Sequence, residues 1–157
     1  MVYTVLPVVA PGETIASATW GNIVKADIEA LKAPPNDQWD GEVTDTTTAT
    51  DWSDVDATNL SLTITTTGGN VRVCYIGDAT LNKILGIDLD VDGTRHTANT
   101  YGLMYNISSA TGSKNQSFTI LISGLSAAAH TVKLQFRGDG TNANQLVSRH
   151  FSISEVG

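Results

Sequence analysis

The chain has 157 residues, of which 41% are apolar and only 16% charged, and its formal net charge is -7. This length suits one main domain with its own core plus a short appendage, and the acidic balance leaves no basic face for phosphates, which argues against nucleic acid and anionic membranes as partners. Cys74 is the single cysteine, which rules out an intrachain disulfide and a thiolate zinc site; it lies within strand alternation and reads as a small packed side chain.

Met1 to Thr14 is apolar, has no basic residue ahead of it and is broken by Pro7 and Pro11. It reads as an extended arm lying on its own domain or on a neighbouring chain, and as neither a signal peptide nor a membrane span. From Ser17 to Lys32 the period changes. Trp20, Ile23, Val24, Ile28 and Leu31 recur at spacings of three and four, while Lys25, Asp27, Glu29 and Lys32 take the other side. The pattern predicts an amphipathic helix of about four turns, capped by Ser17 and stopped by Pro34 and Pro35. A helix this short is marginal alone, so its stripe needs a partner surface, either the domain or copies of itself.

Asn36 to Thr50 is rich in Asp and Thr, contains Gly41 and is bracketed by Trp39 and Trp52; it reads as a loop or a short edge strand. In Asn59 to Ile76, Leu60, Leu62 and Ile64 alternate with Ser61, Thr63 and Thr65. Past Gly68 and Gly69, Val71, Val73 and Tyr75 alternate with Arg72, Cys74 and Ile76. A period of two is a strand period, and the glycines with Asn70 supply a reversal, so the stretch is predicted to be a β-hairpin with one apolar face. Further strands follow at Ile84 to Val91, Tyr101 to Ser108, Gln116 to Ile122, His130 to Arg137 and Val147 to Ser154, with turns at Asp92–Gly93 and Gly138 to Gly140. About eight strands joined by turns at roughly 8 to 12 residues predict an antiparallel β-sandwich, jelly-roll-like, over residues 36–157, preceded by the arm and helix over 1–35.

Three groups of residues invite a chemical reading. Asp88, Asp90, Asp92 and Gly93 spell the first half of a calcium loop, but Asn99 stands where the bidentate Glu is needed, and Ile87, Leu89 and Val91 give the acids the look of a solvated strand face; no metal is expected. His96, His130 and His150 lie at no recognisable spacing from a nucleophile or a carboxylate, and no enzymatic activity is expected. Trp39, Tyr101 and Tyr105 are possible glycan contacts, since a flat ring covers a sugar face well; the alternative is packing between strands, with Trp52 capping one end of the core.

Ile15 to Leu31, IASATWGNIVKADIEAL, preceded by Gly12 and Glu13, resembles the N-terminal segment of tail-fibre-like and other minor structural proteins of tailed bacteriophages. Trp20, Val24, Lys25, Ile28 and Leu31 match that pattern position by position, while Gly21 and Ala26 depart from it. Asp51 to Thr65 and Gly124 to Arg137 are similar to β-sandwich modules of phage fibre and tip proteins. The resemblance implies a non-enzymatic protein at the virion surface, without cofactors. Its sandwich would be displayed outward, and residues 1–35 would serve attachment and oligomerisation through Trp20, Ile23, Val24, Ile28 and Leu31. Implied partners are copies of itself as a homotrimer, other virion proteins of tail or capsid, and a host surface glycan. A tail-fibre or tip adsorption protein is the first expectation. A capsid decoration protein and a carbohydrate-binding module are the alternatives.

Overall fold

The computed structural model describes residues 34–108 and 112–156, and among them it forms ten strands and no helix. These are β1 (Asn36–Thr47), β2 (Ser53–Asp54), β3 (Ser61–Thr65), β4 (Gly69–Leu81), β5 (Ile84–Val91), β6 (Thr94–Arg95), β7 (Met104–Ile107), β8 (Gly112–Leu125), β9 (Ala129–Arg137) and β10 (Asn144–Val156). Every pairing is antiparallel. One sheet, A, has the order β1-β10-β4-β8. In the other, B, β9 and β5 are central; β2 and β3 pair in tandem with one side of β9, and β6 and β7 in tandem with the far side of β5. The predicted arm and helix, with Trp20, Ile23, Val24, Ile28 and Leu31, lie outside the described residues.

The alternation seen in the sequence sends one face of each sheet inward. Val71, Val73, Tyr75, Phe151 and Ile153 of sheet A meet Leu62, Ile64, Ile87, Leu89, Val132 and Leu134 of sheet B, all at most 5% exposed. Burying one such Leu or Ile side chain contributes about 2 kcal/mol, so this double layer is the main stabilising term. Its one phenol, Tyr75, shares a 3.3 Å hydrogen bond with Ser148 Oγ, and burial pushes its pKa up to about 12. Gly77 leaves room for that hydroxyl: a methyl group here would run into the Tyr75 oxygen and the Val147 carbonyl.

The predicted hairpin over Asn59 to Ile76 does not form. β3 pairs with β9 in sheet B, and β4 pairs with β10 and β8 in sheet A. The two apolar faces shelter each other across the sandwich instead of lying side by side. Gly68 and Gly69, at φ 100° and 141°, carry the chain from one sheet to the other. That crossing is fastened on both sides: Thr66 donates its hydroxyl to the Ser126 carbonyl at 2.6 Å, and Thr67 donates N–H and hydroxyl to Glu155 Oε1, each at 2.9 Å.

The loop or short strand expected over residues 36–50 is a 12-residue edge strand, β1, with a bulge between Asp40 and Val43. Its inward positions mix Trp39 and Val43 with Asp37, Asp45 and Thr47, which is why its alternation is hard to read. Cys74 is also corrected. It alternates with the buried Val73 and Tyr75, so it sits half-buried on the outer side of sheet A and not in the core.

Candidate functional site

The outer faces of the two sheets differ. On sheet B, Asp88 is fully buried and Asp90 is 8% exposed, although both point away from the core. Over Asp88 lie Thr97 of the loop spanning residues 96–103 and the Arg95 guanidinium, and Trp52 packs beside that arginine. The Trp52 ring lies 4.9 Å from the Arg95 guanidinium carbon and 5.9 Å from that of Arg137, cation–π contacts on an outward-facing indole. Two glycines make its bed: a methyl group on Gly86 would stand 3.0 Å from the ring, and one on Gly102 2.5 Å from it.

The same arginines hold the loop. Arg95 donates to the Asn99 carbonyl at 2.6 Å and Arg137 to that of Thr100 at 3.2 Å. Asn99 Oδ1 accepts the N–H groups of Tyr101 and Gly102, each at 2.8 Å, and Gly102 takes φ 78°, the left-handed turn that Gly adopts without strain. Tyr101 is thereby presented at 57% exposure, its ring edge-on to Tyr105 with centroids 4.6 Å apart. Tyr105 is the register partner of Gly86 on β7, so Trp52, Tyr101 and Tyr105 gather around one glycine. The result is an aromatic ledge on a loop held by Arg95 and Arg137 and braced within by Asn99.

Asp88, Asp90 and Asp92 do not converge on one centre. Asp88 accepts from Thr97 at 2.5 Å and the Leu89 N–H at 2.8 Å, and faces Arg95 at 3.6 Å. Asp90 accepts the Gly93 N–H at 2.9 Å; Asp92, in the turn with Gly93, accepts from Thr131 at 2.8 Å and pairs with His130. The expected solvated face is thus a buried, bonded one on β5. Asp54 anchors the neighbouring column, accepting from Lys133 at 2.9 Å and Gln135 at 3.1 Å; burial pushes its carboxyl up, but these bonds outweigh that and hold its pKa below the ordinary value. Among the described residues, no three His, Cys, Asp or Glu side chains are placed to hold a metal ion.

The described residues leave the outer face of sheet A open, with Ile76 and Leu121 about half exposed on it. A groove of about 280 Å³ is lined by Arg72, Cys74, Thr119, Ser152 and Ser154. Beside it runs a line the sequence did not suggest: Asp40 Oδ1 lies 2.6 Å from His150 Nδ1, and His150 Nε2 lies 2.9 Å from Ser152 Oγ. These residue types make up nucleophile relays, and their setting on the sheet decides what they can do. Ser152 is paired on both sides, with Gln38 and Cys74, so its backbone N–H is committed to the ladder and cannot stabilise an oxyanion. Asp40 is 59% exposed and its charge is screened by water. The line orients the Ser152 hydroxyl; the geometry does not activate it.

Of the predicted glycan contacts, the structure brings Tyr101 and Tyr105 together and leaves Trp39 apart. Trp39 packs inward from β1, the strand whose Asp37 bonds to β3, whereas β7 bonds through Asn106 to Gln116 of β8 at the other side of the sandwich. Trp52 caps an outer face, not an end of the core.

No protein family matches the chain, and no curated protein does. Among solved structures it is similar to the CBM36-1 domain of a multidomain xylanase from the hindgut metagenome of Trinervitermes trinervoides, at 16% identity and a TM-score of 0.48, over 82% of this chain and 94% of that one. A likeness at that level fixes neither family nor ligand.

Proposed function

We propose that the sandwich is a non-enzymatic glycan-binding module that takes a sugar chain on the Tyr101–Tyr105 ledge. The observation that carries this reading is the T-shaped pair made by exposed Tyr101, on a loop fastened by Arg95, Arg137 and Asn99, and half-buried Tyr105 of β7. Rigid aromatic faces bind pyranose rings at low entropic cost, because little side-chain freedom remains to be lost. We take the sandwich to be a jelly roll. The alternation of β1, β4, β8 and β10 in one sheet with β3, β5, β7 and β9 in the other supports that form.

The resemblance of Ile15 to Leu31 supports a setting for such a module: a phage particle on which residues 1–35 attach and trimerise the chain through Trp20, Ile23, Val24, Ile28 and Leu31, and the sandwich serves adsorption to a host glycan. A capsid decoration role would use the same segment and leave the ledge without a ligand. The test is calorimetric titration of the full chain with neutral xylo-, cello- and manno-oligosaccharides. One of them is expected to bind, and Tyr101→Ala is expected to weaken it at least tenfold, a stacking contribution of about 1.4 kcal/mol. Absence of binding across the panel, or unchanged affinity in Tyr101→Ala, would sink the reading.

A further inference from the structure

We propose that the groove on the outer face of sheet A is a second, charged subsite that binds the carboxylate of an acidic sugar residue, such as a uronate in an anionic polysaccharide. It deepens the glycan reading and rests on it for the nature of the polymer, but it lies on the opposite sheet from the tyrosine ledge.

The argument starts from where the charges are placed. Arg149 is held between Glu42 at 2.6 Å and Asp78 at 2.9 Å, and His150 is held by Asp40. Arg72 differs. Its cross-strand neighbours are Ser154 and Leu121, and among the described residues it has a single 3.4 Å contact, with Ser154 Oγ, and no ion pair. In a chain of net charge -7, a guanidinium that no carboxylate of the described residues pairs with stands ready for an external one, which it can grip with two parallel N–H donors.

The rest of the lining matches what surrounds a carboxylate on a sugar. Ser152, Ser154 and Thr119 present hydroxyls that donate or accept, as ring hydroxyls require. Ser152 is aimed. Its Oγ lies 2.9 Å from His150 Nε2, and that ring is fixed in turn by Asp40, 2.6 Å from Nδ1, so the hydroxyl is held beside the groove. The volume of about 280 Å³ lies at the small end for ligand pockets, room for one saccharide unit and not for an extended peptide.

The test is a two-dimensional NMR titration of the full chain with three probes: oligogalacturonate, a neutral xylo-oligosaccharide and inorganic sulfate. Oligogalacturonate is expected to shift the amide signals of Arg72, Thr119, Ser152 and Ser154, with affinity falling at least tenfold in Arg72→Gln and unchanged in Tyr101→Ala. Arg72 is exposed, so Arg72→Gln is expected to melt at the wild-type temperature, and its fold is checked that way. Four results would overturn the proposal: no shifts with oligogalacturonate, equal binding by Arg72→Gln, a response to the neutral chain as large as to the acidic one, or sulfate binding as tightly as the uronate, which would leave an anion hole without sugar recognition. A ledge that fails to bind neutral glycans while Arg72 binds uronate would remove the tyrosine reading and leave this one standing.

Discussion

His130 Nδ1 lies 2.6 Å from an Asp92 carboxylate oxygen, and the other ring nitrogen lies 2.9 Å from the Ser126 carbonyl. Both partners only accept, so the ring satisfies both when it carries two protons. The hydrogen bond to Asp92 raises the His130 pKa above 6.5, and the bond from His130 lowers that of Asp92 below 3.8. This buried ring, bonded at both nitrogens, ties the β5–β6 turn to the β8–β9 crossing.

A pH dependence follows from the signs. The His130 contribution is complete below pH 6.5 and is lost as pH rises through its raised folded-state pKa. The Asp92 contribution is present above pH 3.8 and is lost as pH falls through its lowered one. The pair therefore stabilises most between those values. Thermal melts from pH 4 to 9 are expected to show wild-type stability declining on the alkaline side more than that of His130→Gln. Parallel curves for the two proteins there would show that the pair does not titrate as described.

How far the sequence spoke can be argued residue by residue. Ile87, Leu89 and Val91, or Val132, Leu134 and Phe136, announce strands because burial on one face imposes a period of two. Which strand pairs with which is silent, because Leu62 and Ile64 show the same alternation whether Val71 and Val73 lie beside them or opposite. The Trp52 ledge needs Gly86, Arg95, Gly102 and Arg137 from separate segments, and no local pattern links them. Asp40 and His150 are 110 positions apart and meet only through the register of β1 with β10. Tyr101 and Tyr105 could be picked out because two aromatics on a weak strand have little core to occupy.

The ledge should depend on Gly102. At φ 78°, and with a methyl group 2.5 Å from Trp52 and 2.6 Å from the Ile87 carbonyl, Gly102→Ala has nowhere to go. A loss of roughly 2 kcal/mol is expected from strain and overlap together. Chemical unfolding measures the loss, and saccharide titration should show the Tyr101 contact weakened too. A fully stable Gly102→Ala would mean that the 96–103 loop is not fastened as described.

Cys74 and Leu134 should separate outer face from core. Cys74→Ser changes a half-buried thiol on the groove side and is expected to cost less than about 0.5 kcal/mol. Leu134→Ala empties a site at 0% exposure between the sheets and is expected to cost about 3 kcal/mol or more. Denaturant midpoints for the two variants decide it, and a cost for Cys74→Ser approaching that of Leu134→Ala would place the thiol in the core after all.

The sandwich should stand without residues 1–33. From Pro35 onward the chain already has both sheets, 19 buried apolar residues between them, and a β1–β10 pairing extended by the Glu155 N–H donating to the Pro35 carbonyl at 2.9 Å. A domain of that size with two facing apolar layers closes its own core. A chain beginning at Pro34 is expected to unfold in one cooperative transition and to bind saccharide with the affinity of the full chain. If residues 1–35 carry the oligomer, sedimentation should show a trimer for the full chain and a monomer for the shortened one. A shortened chain that loses its cooperative transition would assign the N-terminal segment to the core. A shortened chain that folds and remains trimeric would place the contact between copies on the sandwich itself.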